Sequence, residues 1–544
     1  MNKKTIFFAI VSLFALTATA QTTYFVKTDG NTAANGLTWE NAIPLDNALA
    51  KAVSGDVINI AAGTYMPTVL INSTTSPLTD ADKTFHIRQN ISLIGGYPED
   101  ATTGATADPK TNETVLSGNN TCYHVIVVSA PVATGEKVIL NGLKITGGNA
   151  NGSGNVATAN GGTVNVARNS AGGMSIAKST VEFSDCSISG NKANSGANGI
   201  YALSAATVTF NRCSIADNTG AGNGGGVWLA TSTLYMYDST ISNNTAGTAG
   251  GLYPYNGSKF YVFNSTIDSN TTTAQVAGVY ARENVEGYLV NTTIANNVST
   301  HASAGVGGIS TYTTAGNPVD ISIVNTTITG NTGTSSTITI MNSNITTVKL
   351  YNSIVSGNTT PTEVLTSANG IYTQQNNIIG TKIYDATGAE VSDVTFNPAT
   401  QLGTLADNGG YTKTCLLLGE NNPATTYGMN NAALTTLAGT FTPAIPTAII
   451  TKDQAGSARS GHHIGALAKD NLTTSAQQIF GKSGFAFTAG NALYVKANSD
   501  IRVYAANGQL VRSLPASEDL TEIGGLQRGI YIVTAGGKTQ KVIL

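Results

Sequence analysis

Four aromatic residues, Tyr201, Trp228, Tyr253 and Tyr280, recur at intervals of 27, 25 and 27 positions. Each directly follows an apolar residue, and Tyr255 and Arg282 stand two positions beyond the last two of them, with Tyr312 at a matching point after a longer interval. Aromatic faces beside a guanidinium can bind sugars, because the CH groups of a sugar ring pack on aromatics. Tyr201, Trp228, Tyr253, Tyr255, Tyr280 and Arg282 are therefore the candidate ligand-binding residues. The same spacing has a second reading, an outward ladder of rings that only stiffens a sheet through cross-strand contacts.

Catalytic chemistry is not visible. A polysaccharide lyase needs clustered carboxylates for Ca²⁺ and a basic residue to take a proton, and a glycoside hydrolase needs paired carboxylates. No Asp-Asp pair and no Gly-His-Gly occurs, and the repeated middle of the chain is nearly free of acids. Its largest charged group, Arg282-Glu283 with Glu286, reads as a solvated turn. His462 and His463 are adjacent, so on a strand they point to opposite faces and fit a structural segment better than a metal site. Cys186 and Cys213 are 27 positions apart. They fit either a disulfide between neighbouring units or a buried stack of thiols; Cys122 and Cys415 have no evident partner. No metal or cofactor is expected.

Only 11% of the 544 residues are charged, against ~25% in an ordinary domain, while 41% are hydrophobic and 60 are Gly. That is too apolar for a disordered chain. A formal charge of −3 without basic runs excludes nucleic acid as the main partner. Lys3 and Lys4, an apolar stretch from Ile6 to Leu16 and Ala18-Thr-Ala20 describe a signal peptide over residues 1–20, so the mature chain is expected to be secreted. No later segment is long and apolar enough for a transmembrane helix.

What must position the aromatic row is a repeat. Cys186-Ser-Ile-Ser-Gly-Asn191, Cys213-Ser-Ile-Ala-Asp-Asn218 and Ser239-Thr-Ile-Ser-Asn-Asn244 are followed by units ending at Asn270, Asn297, Asn331 and Asn358, spaced 27, 26, 26, 27, 34 and 27. A second ladder keeps step: Gly173-Met174, Gly199-Ile200, Gly226-Val227, Gly251-Leu252, Gly278-Val279 and Gly308-Ile309. Apolar and small polar residues alternate within each unit, which is strand periodicity. About 27 residues make three short strands and three turns, one coil of a right-handed parallel β-helix, with coils ~4.8 Å apart. The expected fold is thus all-β, with Ile188, Ile215, Ile241, Ile267 and Ile294 stacked inside. The repeated Asn is expected to supply a left-handed turn residue and to hydrogen-bond along its row. Ala42, Leu45, Leu49 and Val53 follow helical spacing and predict a short helix capping the first coil.

Several segments resemble the choice-of-anchor Q β-helix family. They are Tyr24-Phe-Val-Lys, Gly36-Leu-Thr-Trp-Glu-Asn-Ala42, Gly55-Asp-Val-Ile, Ala62-Gly-Thr-Tyr65, Ile94-Gly-Gly-Tyr97 and Thr114-Val-Leu-Ser-Gly118. At the far end, Leu402-Gly-Thr-Leu-Ala-Asp-Asn-Gly-Gly-Tyr-Thr-Lys-Thr414 and Asp453-Gln-Ala-Gly456 with Arg459 and Ile464-Gly-Ala466 fit too. His463 and Leu467-Ala468 depart from that pattern. The repeats also resemble those of chlamydial polymorphic outer-membrane proteins. These resemblances imply architecture and a cell-surface or outer-membrane setting, and no reaction.

After Asp470 the composition changes. A linker is expected over 471–490, then a small antiparallel sandwich over 491–544, built on strands with Asn507-Gly508 and Gly536-Gly537 turns. Gly529-Ile-Tyr-Ile-Val533 before a Lys-containing terminus resembles the type IX secretion C-terminal sorting domain of Bacteroidetes, which implies that secretion machinery as a partner; an ordinary carbohydrate-binding or Ig-like module is the other reading. Residues 21–470 are expected to form the β-helix. Its expected function is that of an adhesin or a binder of polysaccharide or host and matrix glycans. A lyase or hydrolase with an unrecognised site, and a purely structural spacer, are the alternatives.

Overall fold

The computed structural model describes residues 21–159, 163–314, 316–340, 346–367, 370–419, 421–459, 461–468, 486–489, 492–497, 499–526 and 529–543. The signal peptide expected at 1–20 lies outside the described residues, as does most of the linker expected at 471–490.

One coil shows how the repeat folds. Val227–Ala230 is a strand, Thr231 turns, Thr233–Tyr237 is the next strand, Asp238 turns, and Thr240–Ser242 is the third. Asn243 then turns the chain into a two-residue strand, Thr245–Ala246. Alternation sends Val227, Leu229, Leu234, Met236 and Ile241 inward, where none keeps exposed surface. Burying each such side chain is worth roughly 1.5–3 kcal/mol. Stacking the coils produces sheets of 10, 12 and 12 strands, here called the first, second and third, and a six-stranded ribbon from the two-residue strands. Successive coils pair in parallel. The chain is therefore a right-handed parallel β-helix, as expected, with the short ribbon as a fourth side. Ile188, Ile215, Ile241, Ile267 and Ile294 pair in register and are fully buried.

The Asn row departs from expectation in one respect. The left-handed residue of that turn is the one before the Asn: Gly190, Asp217, Asn243, Ser269, Asn296, Gly330 and Gly357 all have positive φ. The row Asn itself is held by its side chain. Asn244 Nδ2 donates to Ile215 O and to Asn270 Oδ1, both at 2.9 Å, and its Oδ1 accepts from Asn218 N and Nδ2. The pattern runs to Asn358, where Glu363 accepts from the last amide. A side chain that must point inward at every coil leaves the tight turn to its neighbour.

The predicted helix is Leu45–Lys51, with Pro44 before its first turn. Leu45 and Ala48 are buried against the first coils and Leu49 partly so. Ala42 precedes the helix, and Val53, 55% exposed, lies beyond it. The predicted apolar face is thus shorter than its spacing suggested, because Pro fixes the helix start.

At the other end the strand Lys382–Ile383 pairs antiparallel, which ends the stack, and Ile383, Phe396, Leu402 and Leu417 cover it. Residues 384–468 then run back along the outside as a strap. Leu434 and Ala438 of the helix Asn431–Ala438, with Ile445 and Ile450, pack on Tyr261, Phe263, Tyr288 and Val324 of the second sheet. A second Asn row, Asn264, Asn291, Asn325 and Asn352, sits in left-handed turns and bonds side chain to side chain. It also ties down the strap: Asn291 donates to Ile449 O and Lys452 O, and Asn352 to His463 O. Gln454 reaches Ser265 O, Thr266 and Thr293. Buried Arg459 donates to Gly465 O, Ala466 O and Asn291 Oδ1. Those residues carry part of the family resemblance, and their work is to clamp the strap.

The C-terminal unit has two small antiparallel sheets, Ala486–Ala489 with Ala492–Ala497 and Ser517–Ile523, and Leu510–Leu514 with Ile501–Ala505, Ile530–Ala535 and Lys538–Ile543. Leu493, Val495, Ile501, Val503, Ile523 and Val533 belong to its own core. Its first strand begins at Ala486, inside the segment expected to be linker; the Gln540 side chain holds Ala486 N and O. No helix among the described residues is long and apolar enough to cross a membrane.

Candidate functional site

The aromatic row lies on the outer side of the first sheet, as alternation predicts. Tyr201 and Trp228 stack at 4.5 Å between ring centroids, Trp228 and Tyr253 at 5.6 Å, and Tyr253 and Tyr280 at 5.4 Å, with interplanar angles of 19°, 22° and 9°. In the second row Ala230, Tyr255, Arg282 and Tyr312 are in register. The Arg282 guanidinium stands 5.8 Å from the Tyr255 centroid and 4.8 Å from that of Tyr312, and its charge is 3.6 Å from Glu283. Glu283 in turn accepts from Thr314 and Asn317.

For Tyr253 and Tyr280 this geometry favours the second reading, the stiffening ladder, over an open platform. Tyr253 and Tyr280 are only 4% exposed, packed with Ala249, Val276 and Val306, which bridge to one another in successive coils. Rings stacked face to face spend their faces on one another and turn only edges outward, whereas a sugar ring needs a free aromatic face. Tyr201, Trp228, Tyr255 and Arg282 keep partial exposure. Nothing in the sequence motif distinguishes a stacked row from an open one; the coil spacing decides it.

A different set of residues meets over the third sheet. Its floor is formed by the strands Leu143–Thr146, Ser187–Ser189, Ser214–Ala216 and Thr240–Ser242. One wall is Asp108, Pro109, Lys110 and Glu113; the other is Gly410 and Tyr411 of the strap. Together they enclose a groove of about 840 Å³. Along its edge Asp185, Arg212 and Asp238 occupy the same turn in three successive coils, each in the left-handed region.

Arg212 is bidentate to Asp185, at 2.9 and 2.6 Å, and its guanidinium lies 5.7 Å from the Tyr411 centroid. Lys144 pairs with Glu113 at 2.9 Å. Burial pushes the Asp238 carboxyl above its ordinary pKa, with Asn264 and Arg212 opposing. Tyr411 is 68% exposed. It reaches the groove on two glycines with φ of 94° and 84°, Gly409 and Gly410. A Cβ on Gly410 would stand 2.8 Å from Ala455 Cα, so no other residue fits that turn. Asn408 closes the loop by donating to Thr414 O.

In the sequence Asp407-Asn-Gly-Gly-Tyr411 carries part of the resemblance, and Arg212, Asp238 and Lys144 belong to no motif. One signal was present: Arg212 stands where Asn264, Asn291, Asn325 and Asn352 stand in later coils. Left-handed backbone suits Asn and costs an Arg roughly 1 kcal/mol or more.

Cys186 and Cys213 sit beneath this groove, buried, and both are free thiols donating to main-chain oxygens at 3.3 Å. Cys122 and Cys415 are free as well. His462 is exposed and bonds Gly428 O at 2.7 Å, while His463 is buried; the two lie in an irregular segment, not on a strand. Among the described residues no three His, Cys, Asp or Glu side chains group as a metal site would require.

A family model described as a right-handed β-helix region matches residues 112–297. No curated protein matches the chain. Among solved structures, the pectate lyase Pel9A is 12% identical with a TM-score of 0.43, covering 84% of this chain and 91% of that one. The pectin methylesterase of Aspergillus niger in deglycosylated form is 15% identical with a TM-score of 0.25, covering 69% and 89%. XylC in complex with xylose is 10% identical with a TM-score of 0.31, covering 94% and 99%. The architecture that the strand register and the family match together establish is a right-handed parallel β-helix, followed by a small antiparallel unit.

Proposed function

We propose that the protein binds a polysaccharide in the groove beneath Tyr411. The carrying observation is the groove's composition: seven of its 17 lining residues are charged, in a chain where 11% are, and an exposed aromatic overhangs them. Charged hydrogen-bonding groups beside an aromatic face match a sugar's hydroxyls and its apolar ring face. The groove favours binding over hydrolysis, because three of its four carboxyls are engaged, Asp185 by Arg212, Glu113 by Lys144, and Asp108 by Thr111 and Lys110 N, which leaves only Asp238. Hydrolysis wants two carboxyls free to exchange protons.

A comparison of two variants tests this. On a glycan array, Tyr411→Ala should lose at least about tenfold in retention while its melting temperature stays put, since exposed substitutions usually shift stability by less than ~0.5 kcal/mol. Trp228→Ala should bind as wild type and melt earlier, having lost two stacked contacts of roughly 0.5–1.5 kcal/mol each. The opposite pattern would return the binding face to the aromatic row.

The same reading includes an address. The C-terminal unit acts as a type IX sorting signal that leaves the β-helix on the cell surface as an adhesin of choice-of-anchor Q type. What supports it is the resemblance of residues 491–544 together with a core separate from that of the β-helix. Deleting residues 486–544 should then leave a folded β-helix in the periplasm of the native host. Surface display of the truncated protein would reject the sorting role.

A further inference from the structure

We infer that the glycan this groove takes is neutral, held through adjacent hydroxyls by Asp238 and the Arg212–Asp185 pair with its ring against Tyr411. The inference rests on the groove being the binding site. It adds the class of ligand, which the charge inventory decides.

An acidic polysaccharide needs cations that are free to meet its carboxylates. The groove lining holds four acids, Asp108, Glu113, Asp185 and Asp238, against three bases, Lys110, Lys144 and Arg212. Lys144 and Arg212 already neutralise Glu113 and Asp185. Among the described residues, Lys110 is the one groove cation outside an ion pair. A uronate chain would therefore face a surplus of negative charge, with Asp238 outside any ion pair.

Neutral hydroxyls meet the opposite situation. A guanidinium has five N–H donors and a carboxylate about four lone-pair positions. Arg212 spends two donors on Asp185. The remaining donors and lone pairs can serve hydroxyls, which both give and accept hydrogen bonds. Asp185, Arg212 and Asp238 stand one coil apart, ~4.8 Å, so a chain lying along the axis finds a polar group at each step. Tyr411 has Arg212 against it and remains 68% exposed, so ring surface is left for a sugar.

The Asp238→Asn variant isolates this chemistry. Asn suits that left-handed turn, as Asn264 shows in the following coil, so the variant should fold. Affinity electrophoresis of the full chain would use two neutral polymers, a β-glucan and a galactomannan, and two acidic ones, polygalacturonate and alginate. Expected is retardation by a neutral polymer that changes less than about twofold between roughly 0.05 and 0.5 M salt. Asp238→Asn should weaken it by about fivefold or more, the loss of charged hydrogen bonds to hydroxyls.

Retardation by acidic polymers only, relieved by salt and strengthened by Asp238→Asn, would overturn the inference. The Tyr411→Ala variant separates the two failures. If it abolishes binding of an acidic polymer, the groove reading stands and the neutral class falls. If binding of any polymer survives it, or no polymer is retarded, both fall.

Discussion

Ile241→Asp opens the β-helix in its middle. Ile241 keeps no exposed surface and lies between Ile215 and Ile267 on the third sheet. Truncating such a side chain alone costs about 2–5 kcal/mol. An unpaired carboxylate adds several more, because nothing in this part of the core can bond it. That total rivals the 5–15 kcal/mol by which whole domains are stable. Each coil touches chiefly its two neighbours, so the damage should spread to adjacent coils while distant ones hold. Limited proteolysis should yield new cuts between about residues 200 and 290, with a lower and broader melting transition by circular dichroism. Ile241→Val, the conservative control, should cost only about 0.5–1.5 kcal/mol. An Ile241→Asp protein that melts and resists protease like wild type would contradict the inward register.

Asn244→Ala should be the next most damaging change, and its neighbour supplies the contrast. The Asn244 side chain serves Ile215 O, Asn270 Oδ1, Asn218 N and Asn218 Nδ2, all buried. Asn270 Oδ1 keeps Asn244 N and Asn218 Nδ2 keeps Ile188 O, while Asn218 N and Ile215 O lose this partner. Each buried group left without a partner costs about 1–3 kcal/mol, so the expected loss is about 2–6 kcal/mol. Asn243, one residue earlier, contributes its backbone conformation, with φ of 55°. Asn243→Gly should be nearly silent and Asn243→Ala should cost about 1 kcal/mol. Thermal melts of the three variants check this; equal losses at 243 and 244 would mean that the ladder bonds contribute little.

These two expectations also mark how far the chain could be read without coordinates. The period of the Ile, Asn and Gly rows determined the β-helix, its inward residues and the pairing of like with like. A solenoid coil contacts the coils just before and after it, so a motif repeated at one spacing already specifies its own neighbours. The roles within a turn were less legible. Asn243-Asn244 and Asp217-Asn218 look alike in sequence, and only the backbone showed which member turns and which bonds.

The strap lay beyond the reach of periodicity. Gln454 bonds Ser265 across 189 positions, and no repeat announces that pairing. Its path decided that Tyr261, Phe263 and Tyr288 are covered and that Tyr411 overhangs Arg212. The aromatic row was visible in the sequence, but its use was not. Coil spacing brings the rings close enough to stack, and Ala249, Val276 and Val306 pack against Tyr253 and Tyr280. The coil stack itself brings together the groove residues near 110, 144, 185, 212 and 238, and the return of the chain along its own flank adds Tyr411 over them. Local pattern thus determined the stack, because its contacts are local and periodic; tertiary structure completed the site, because the contact of Tyr411 with Arg212 is neither.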